Sequence, residues 1–312
     1  MIGRADVATG LPAFRPLLAW AFRRPGLTVA SLLLALVVGW TLVPSWFASD
    51  GPNKIDTQHI LQPPSWSHLF GTDNLGRDVY SRVVHGASLT IEAALLAVGL
   101  ALVVGGTAGA VAGSLRGWAD DVIMRCVDAM MAIPALLLAM AIVMALGFGT
   151  VHVAVAIGVA EAGVVARVMR AEVLRVRGEY YVDAAYATGM HWPAILFRHI
   201  LPNSRGPVLA LAMLQLGLSV LAIASLSFLG FGSPPPAPEW GTLISEGRGY
   251  LSTAWWMTTF PGVTVAVTVL AVNRVARSFE AGDGTDLTGA GLGGLWIRRQ
   301  ARADEGAPAG DV

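Results

Sequence analysis

Long apolar runs recur along this chain, and polar residues are concentrated in the segments between them. A helix needs about 20 mainly apolar residues to cross a hydrocarbon core about 30 Å thick. The pattern therefore predicts an all-α integral membrane protein. Six segments meet the length requirement, and they predict spans at residues 26–47, 88–113, 126–148, 151–168, 207–232 and 255–273.

Composition supports the membrane interpretation. Apolar residues make up 54% of the chain and charged residues 13%, with a mean hydropathy of +0.61, whereas a soluble domain has roughly a quarter of its residues charged. The net charge is zero, which gives no reason to expect a nucleic acid partner. The single Cys126 excludes an intrachain disulfide, and the six histidines lack metal-binding spacing, so no metal site is expected.

Basic residues predict the orientation in the membrane. With the amino terminus in the cytoplasm, the inside segments contain 17 arginines and the outside segments contain four Lys or Arg residues. Cytoplasmic loops carry an excess of Lys and Arg. We therefore expect six transmembrane helices with both termini cytoplasmic.

The segment at residues 179–203 is a polar insert between the fourth and fifth predicted spans. Good helix formers continue to Thr188, Gly189 interrupts them, and a second short helix is predicted to stop before Pro202. The second helix has an apolar face that is too short to cross a membrane, formed by Trp192, Ile195, Leu196 and Ile200. Either the chain's own spans, the lipid interface or a soluble partner must cover that face.

This insert resembles the EAA loop of binding-protein-dependent ABC transporter permeases, whose pattern is E-A-A, three residues, Gly, nine residues and I-x-L-P. The matching positions are Asp183, Ala184, Ala185, Gly189, Leu201 and Pro202. Asp183 replaces Glu and keeps a carboxylate, whereas His199 is at the Ile position. Three further blocks, at residues 68–89, 117–138 and 225–241, resemble the peptide/nickel branch, and specifically the C-type permeases of dipeptide and oligopeptide transporters. The resemblance covers roughly residues 15–275.

The resemblance implies a type I ABC importer permease in a bacterial plasma membrane. Such a permease pairs with a second permease, two ATPase subunits that bind ATP and Mg, and an extracytoplasmic binding protein. No G-x-x-x-x-G-K-[ST] phosphate loop is present, so this chain is expected to bind no cofactor and to be a transport subunit rather than an enzyme. The ATPase-coupling residues would be Glu179, Asp183, Ala184, Ala185, Gly189, Trp192, Leu201 and Pro202.

The resemblance leaves the substrate open. Relatives import di- and oligopeptides, nickel chelates or haem, and peptides are the first expectation. A self-sufficient channel or secondary transporter is the alternative of another class, but it would be expected to show internal inverted repeats, and none is convincing here.

The same patterns divide the chain into four parts. Residues 1–25 form a cytoplasmic segment and 26–87 the first span with its outer loop. Residues 88–275 form a five-helix core that includes the coupling loop at 169–206. Residues 276–312 are expected to be a disordered cytoplasmic tail.

Two groups of residues are candidates for contact with substrate or binding protein. Glu161 falls midway along the fourth span, where a carboxylate usually faces a cavity or partner. It either lines the translocation pathway or pairs with Arg167 or the second permease, or it is a carboxylate near a helix break that snorkels to the interface or is protonated. Ser225 is a second candidate for the pathway. The outer blocks provide candidate binding-protein contacts at Arg77, Asp78, Pro235 and Trp240. The alternative is a rigid outer loop that packs on its own neighbours.

Overall fold

The computed structural model describes residues 25–115 and 117–288, with side chains up to 278. This part of the chain is helical, with one isolated β-bridge between Thr72 and Asp78. Its helices are α1 (Pro25–Leu42), α2 (Pro44–Phe47), α3 (Val79–Leu115), α4 (Trp118–Met131), α5 (Ala135–Leu146), α6 (Thr150–Arg177), α7 (Tyr180–Ala187), α8 (Trp192–Ile195), α9 (Leu201–Phe228), α10 (Trp240–Gly247) and α11 (Trp256–Thr288).

Within residues 25–115 and 117–288, five helices are long and apolar enough to cross a membrane, and a sixth span exists if the bent pair α4 and α5 counts as one. The six-span, all-α prediction is confirmed in that sense. The predicted third span at 126–148 is not a single straight helix, because α4 and α5 meet at an angle of 92°. Pro134 lies at this break. Proline lacks the amide hydrogen and clashes with the carbonyl four residues earlier, which ends a helix.

Several helices extend beyond the predicted spans. Helix α3 begins at Val79 rather than 88, α6 continues to Arg177 rather than 168, and α11 continues to Thr288 rather than 273. Hydropathy identifies only the part of a helix that crosses the lipid. The helical turns outside the membrane carry polar residues, so hydropathy does not count them as part of the span. The predicted tail at 276–312 is therefore helical in its first residues, while residues 289–312 and the first 24 residues lie outside the described part of the chain.

Small residues determine how α3 and α6 pack. A Cβ atom added to Gly105 would lie 2.2 Å from the carbonyl oxygen of Ala162, and one added to Gly109 would lie 2.2 Å from that of Ala166. Glycine at every fourth position lets two backbones approach closely in lipid. This spacing of glycines is typical of close helix packing, and α3 and α6 are packed in that way.

The remaining spans pack around this pair. Helix α9 contacts both α3 and α6, and α11 packs against α9 and α1. The largest buried apolar cluster joins residues of α3, α5, α6, α9 and α10. A second cluster lies at the cytoplasmic insert, so the insert has a core of its own against the ends of the spans.

Candidate functional site

The cytoplasmic insert begins with helix α7, which ends in a glycine-dependent turn. Gly189 has φ of +79°; its amide donates to the carbonyl of Tyr186 at 3.0 Å, and the amide of Met190 donates to that of Ala185 at 3.3 Å. These two bonds form a Schellman motif, whose left-handed position favours glycine. The predicted interruption at Gly189 is therefore a defined reversal of the chain direction.

The second half of the insert does not stop before Pro202, as the sequence suggested. A π turn at Leu196–Ile200 joins α8 to α9, so residues 192–228 form one continuous helix. Pro202 occupies the first turn of α9. A wider turn at this point accommodates a residue that donates no backbone hydrogen bond.

The apolar face of the insert packs on the chain's own helices. Ile195 and Ile200 are fully buried, and Leu196 is nearly so. They contact Val173 and Val176 of α6 together with residues of α7. Trp192 and Leu201 pack partly buried against the same cluster. Of the alternatives left open by the sequence, this face is covered from within.

The opposite side of the insert carries exposed aromatic residues. Tyr180 is 90% exposed and Phe197 is 70% exposed, and Tyr181 and Tyr186 are also exposed. Asp183, Ala184, Gly189 and Pro202 are exposed on the same segment, whereas Ala185 is buried. Glu179 precedes α7 and lies 3.9 Å from Arg175. Aromatic side chains gathered on an exposed surface are characteristic of protein interfaces.

A cavity of about 360 Å³ lies between α5, α6 and α9 at mid-span. Glu161 and Ser225, the two pathway candidates, both line it, together with Gln215 and a largely apolar wall. The hydroxyl of Ser219 donates to Glu161 Oε2 at 2.8 Å. Arg167 is not the partner of Glu161, because its guanidinium pairs with Asp128 of α4 at 2.7 Å.

Two arginines and two carboxylates form a buried network on the opposite side of the membrane from the insert. Arg77 contacts Asp73 at 2.6 Å and Glu246 at 3.3 Å, and Arg82 contacts the same two carboxylates at 2.8 and 2.7 Å. Both arginines are buried. The network joins the loop before α3, and the start of α3 itself, to helix α10, so part of the block at residues 68–89 is structural support.

Of the four residues expected to meet the binding protein, the structure places two inside. Arg77 belongs to the buried network, and Trp240 is fully buried, with its indole donating to the carbonyl of Val83 at 2.8 Å. Asp78 is partly buried and accepts the amide of Ser81 at 2.8 Å, which starts α3. Pro235 is exposed. Arg77, Asp78 and Trp240 therefore support the outer segments from within, and of the four residues only Pro235 is fully exposed on the outer surface.

Sequence reasoning missed Glu239, a carboxylate with no exposed surface. It accepts hydrogen bonds from Ser227 at 2.5 Å, Thr150 at 2.8 Å and the amide of Ser233 at 3.1 Å. These donors belong to the end of α9, the start of α6 and the loop that follows α9. Because Thr150 lies 89 residues away, no local spacing in the sequence indicates this cluster.

Comparison with known proteins agrees with this architecture. Residues 105–282 match the family described as "Binding-protein-dependent transport system inner membrane component". A dipeptide transport system permease protein of Alkalihalophilus pseudofirmus is 38% identical over 247 residues, covering 79% of this chain and 80% of the relative. A di/tripeptide transport system permease protein of Pseudomonas aeruginosa is 38% identical over 248 residues, covering 78% and 82%.

A solved structure shares the fold. The crystal structure of an amino acid ABC transporter with histidines superposes with a TM-score of 0.51 at 17% identity, covering 64% of this chain and 93% of that one. The helical fold is that of a multi-pass membrane protein with the type I ABC importer permease fold. The family match covers more than half of the chain. The chain belongs to the family of binding-protein-dependent transport system inner membrane components.

Proposed function

We propose that this protein is one of two permease subunits in an ATP-driven importer of di- and oligopeptides in a bacterial plasma membrane. A single observation supports this most directly: the insert is packed rigidly onto the membrane helices on one side and presents aromatic residues on the other. The relatives named for dipeptide and di/tripeptide transport support the substrate class. The sequence patterns of nickel and haem importers are similar, and these substrates become outcomes of the test below.

The proposed coupling path runs through the insert. A partner ATPase would contact Tyr180, Phe197 and the exposed residues between them, and closure of its nucleotide sites would push on this surface. Behind the surface, Ile195 and Ile200 are locked against α6, and Arg177 of α6 donates to the carbonyl of Ser114 at the end of α3. A push on the insert would therefore move α3, α6 and α9 together, because close-packed contacts transmit displacement.

In this proposal, separate chains perform the other tasks of the importer. ATP and Mg would be bound by two ATPase subunits, since this chain lacks the phosphate loop that P-loop ATPases use. An extracytoplasmic binding protein would deliver the peptide to the outer surface, which carries Pro235. The second permease would complete the pathway.

The test uses cells that express the whole transporter, with uptake of labelled di- and oligopeptides as the measurement. We expect wild type to import peptides and Phe197→Asp to lose uptake at least tenfold, because a charge on a buried interface costs a few kcal/mol. The purified complex is then examined for retained ATPase subunits. Loss of the ATPases from the Phe197→Asp complex would locate the defect at the coupling surface.

A matched control is available on the opposite side of the membrane. Trp66 is 98% exposed in the outer loop, so Trp66→Asp should keep the ATPase subunits in the complex. Wild-type uptake in Phe197→Asp would contradict the coupling proposal. If wild type imports nickel chelates or haem and no peptides, the proposal of an importer stands and only its substrate changes.

A further inference from the structure

Glu161 is a carboxylate without a cationic partner in the part of the chain that the structure describes. The hydroxyl of Ser219 donates to one of its oxygens, and the nearest arginine along α6, Arg167, is engaged by Asp128. An ionised carboxylate offers two oxygens with about four acceptor positions. One hydroxyl therefore leaves most of its capacity for accepting hydrogen bonds unused.

The unused capacity faces a space suited to a small molecule. The cavity beside Glu161 measures about 360 Å³, within the range of about 300–1,000 Å³ typical of small-molecule sites. Its wall is mainly apolar, with Gln215 and Ser225 as further polar residues. A cavity with one acidic corner and apolar walls fits an ammonium group attached to a compact, weakly polar body.

The position of the carboxylate at mid-span favours a cationic ligand over a negative or neutral one. An acid at mid-span costs at least about 2.5 kcal/mol unless a cation or a polar cavity compensates it. A negative ligand group would meet both the carboxylate and the apolar wall, and a neutral one would leave the acid uncompensated. An ammonium group supplies the charge and up to three donors.

We propose that Glu161 binds the ammonium group of the transported peptide as it passes mid-span, while Ser219 orients the carboxylate. This inference rests on the proposed function, since it assigns a step to the same peptide substrate. The ammonium can be the α-amino group or the side-chain amine of a lysine, and both have the chemistry that the cavity accepts.

The experiment compares peptides with and without the charge in wild type and in Glu161→Gln. The probes are the dipeptide Ala-Ala, its N-acetylated form, Ala-Lys and Ala-norleucine, supplied to cells that carry the whole transporter. The binding protein is the same in every strain, so the ratio of variant to wild-type uptake cancels its selectivity. We expect Glu161→Gln to lower uptake of free-amine peptides about tenfold or more, as for a lost hydrogen bond to a charged group, and to spare N-acetyl-Ala-Ala.

Three variants separate recognition from stability. Glu161→Asp keeps the charge and should recover part of the loss, whereas Ser219→Ala keeps the carboxylate and should reduce uptake only a few-fold. Glu92→Gln removes an exposed carboxylate of α3 that does not line the cavity, and it should leave every ratio unchanged. A loss for Ala-Lys that exceeds the loss for Ala-norleucine identifies the side-chain amine; equal losses identify the α-amino group.

The inference is overturned if Glu161→Gln transports Ala-Lys, which carries both kinds of ammonium group, at the wild-type rate. Equal loss of free-amine and acetylated peptides also overturns it, because that pattern indicates a structural role. If the binding protein rejects the acetylated peptide, recovery in Glu161→Asp decides the question, and a variant as inactive as Glu161→Gln counts against it. Absence of peptide uptake in wild type instead contradicts the proposed function, and so the two failures are distinguishable.

Discussion

Glu239 accepts a 2.8 Å hydrogen bond from the hydroxyl of Thr150, which lies 89 residues earlier in the chain. The same carboxylate accepts the hydroxyl of Ser227, so one buried acid joins the beginning of α6 to the end of α9. Each of these helices also carries one part of the coupling insert at its other end. The outer ends of the two helices therefore share a fixed contact.

We expect Glu239→Gln to destabilise the protein, because an amide nitrogen would replace one of two acceptors: Oε1, which accepts from Ser227, or Oε2, which accepts from Thr150 and the amide of Ser233. Leaving such donors unsatisfied costs about 1–3 kcal/mol each. The measurement is the thermal unfolding midpoint of the purified protein in detergent. Thr150→Val removes one donor and should lower the midpoint less; a midpoint in Glu239→Gln equal to that of wild type would show that the carboxylate is dispensable.

The contact between α3 and α6 predicts a strong dependence on one glycine. In Gly109→Ala the new Cβ atom would lie 2.2 Å from the carbonyl oxygen of Ala166, so the helices must separate, at a cost of about 1–3 kcal/mol. The yield of monodisperse protein after detergent extraction measures the effect. Gly99→Ala is the matched control, because its Cβ atom meets nothing within 4 Å, and it should be neutral or slightly stabilising. Equal yields would argue against close packing.

The turn after α7 predicts a different sensitivity. Gly189→Ala meets no neighbouring atom within 4 Å, so any effect comes from φ of +79°, which costs an L residue about 1–2 kcal/mol. We expect weaker coupling, so that more ATP is hydrolysed for each peptide imported. Gly189→Asn should have a smaller effect than Gly189→Ala, because Asn tolerates this conformation. Gly206→Ala, also in open space and without a positive φ, should behave as wild type. Equal effects of Ala at positions 189 and 206 would exclude backbone conformation as the cause.

The buried ion network predicts that losing one charge is costly. Arg82→Met leaves Asp73 and Glu246 with one guanidinium between them, and breaking a buried pair costs about 3–5 kcal/mol. The unfolding midpoint should fall by many degrees. Lys54→Met removes the exposed pair with Asp50, where the expected change is about 0–1 kcal/mol. If the two variants unfold together, the network contributes no more than a surface pair.

Asp78 predicts a small pH dependence of stability in the outer segment. Burial is the main cause that raises the pKa of its carboxyl above 3.8, against the amide of Ser81 and the ring of His68, which lower it. Because the folded-state pKa is the higher one, the contribution to stability is complete below the unfolded pKa and is lost as pH rises through the folded pKa. The unfolding midpoint of wild type should therefore fall relative to that of Asp78→Asn as pH rises from about 3 to about 7. A difference that is constant with pH would contradict this assignment.

Hydropathy and motif spacing predicted the class of protein, the number of spans and the insert, because each depends on residues close together in sequence. The four-residue spacing of the glycines in α3 is likewise a local signal, typical of close helix packing. The break at Pro134 could have been anticipated from its proline. Its 92° angle could not, and neither could the pairing of Asp120 in α4 with Arg170 in α6, 50 residues apart in sequence.

Tertiary contacts explain what the sequence did not reveal. Arg77 and Trp240 looked like surface residues because they are polar or aromatic and lie in outer loops, yet distant partners bury both. Glu239 gave no signal, since its donors come from three separate parts of the chain. The sequence predicted that the helix stops before Pro202, because proline usually ends an α-helix. A π turn precedes Pro202 instead, and the helix continues through it.

That continuous helix has a mechanical consequence. Residues 192–228 form a single continuous helix about 55 Å long, at about 1.5 Å per residue, with the exposed Phe197 near one end and Ser227, the partner of Glu239, near the other. A rod that tilts about a point in the middle of the membrane moves its two ends in opposite directions. In a transporter that moves this helix in that way, opening on the cytoplasmic side and closing on the outer side would be parts of one movement.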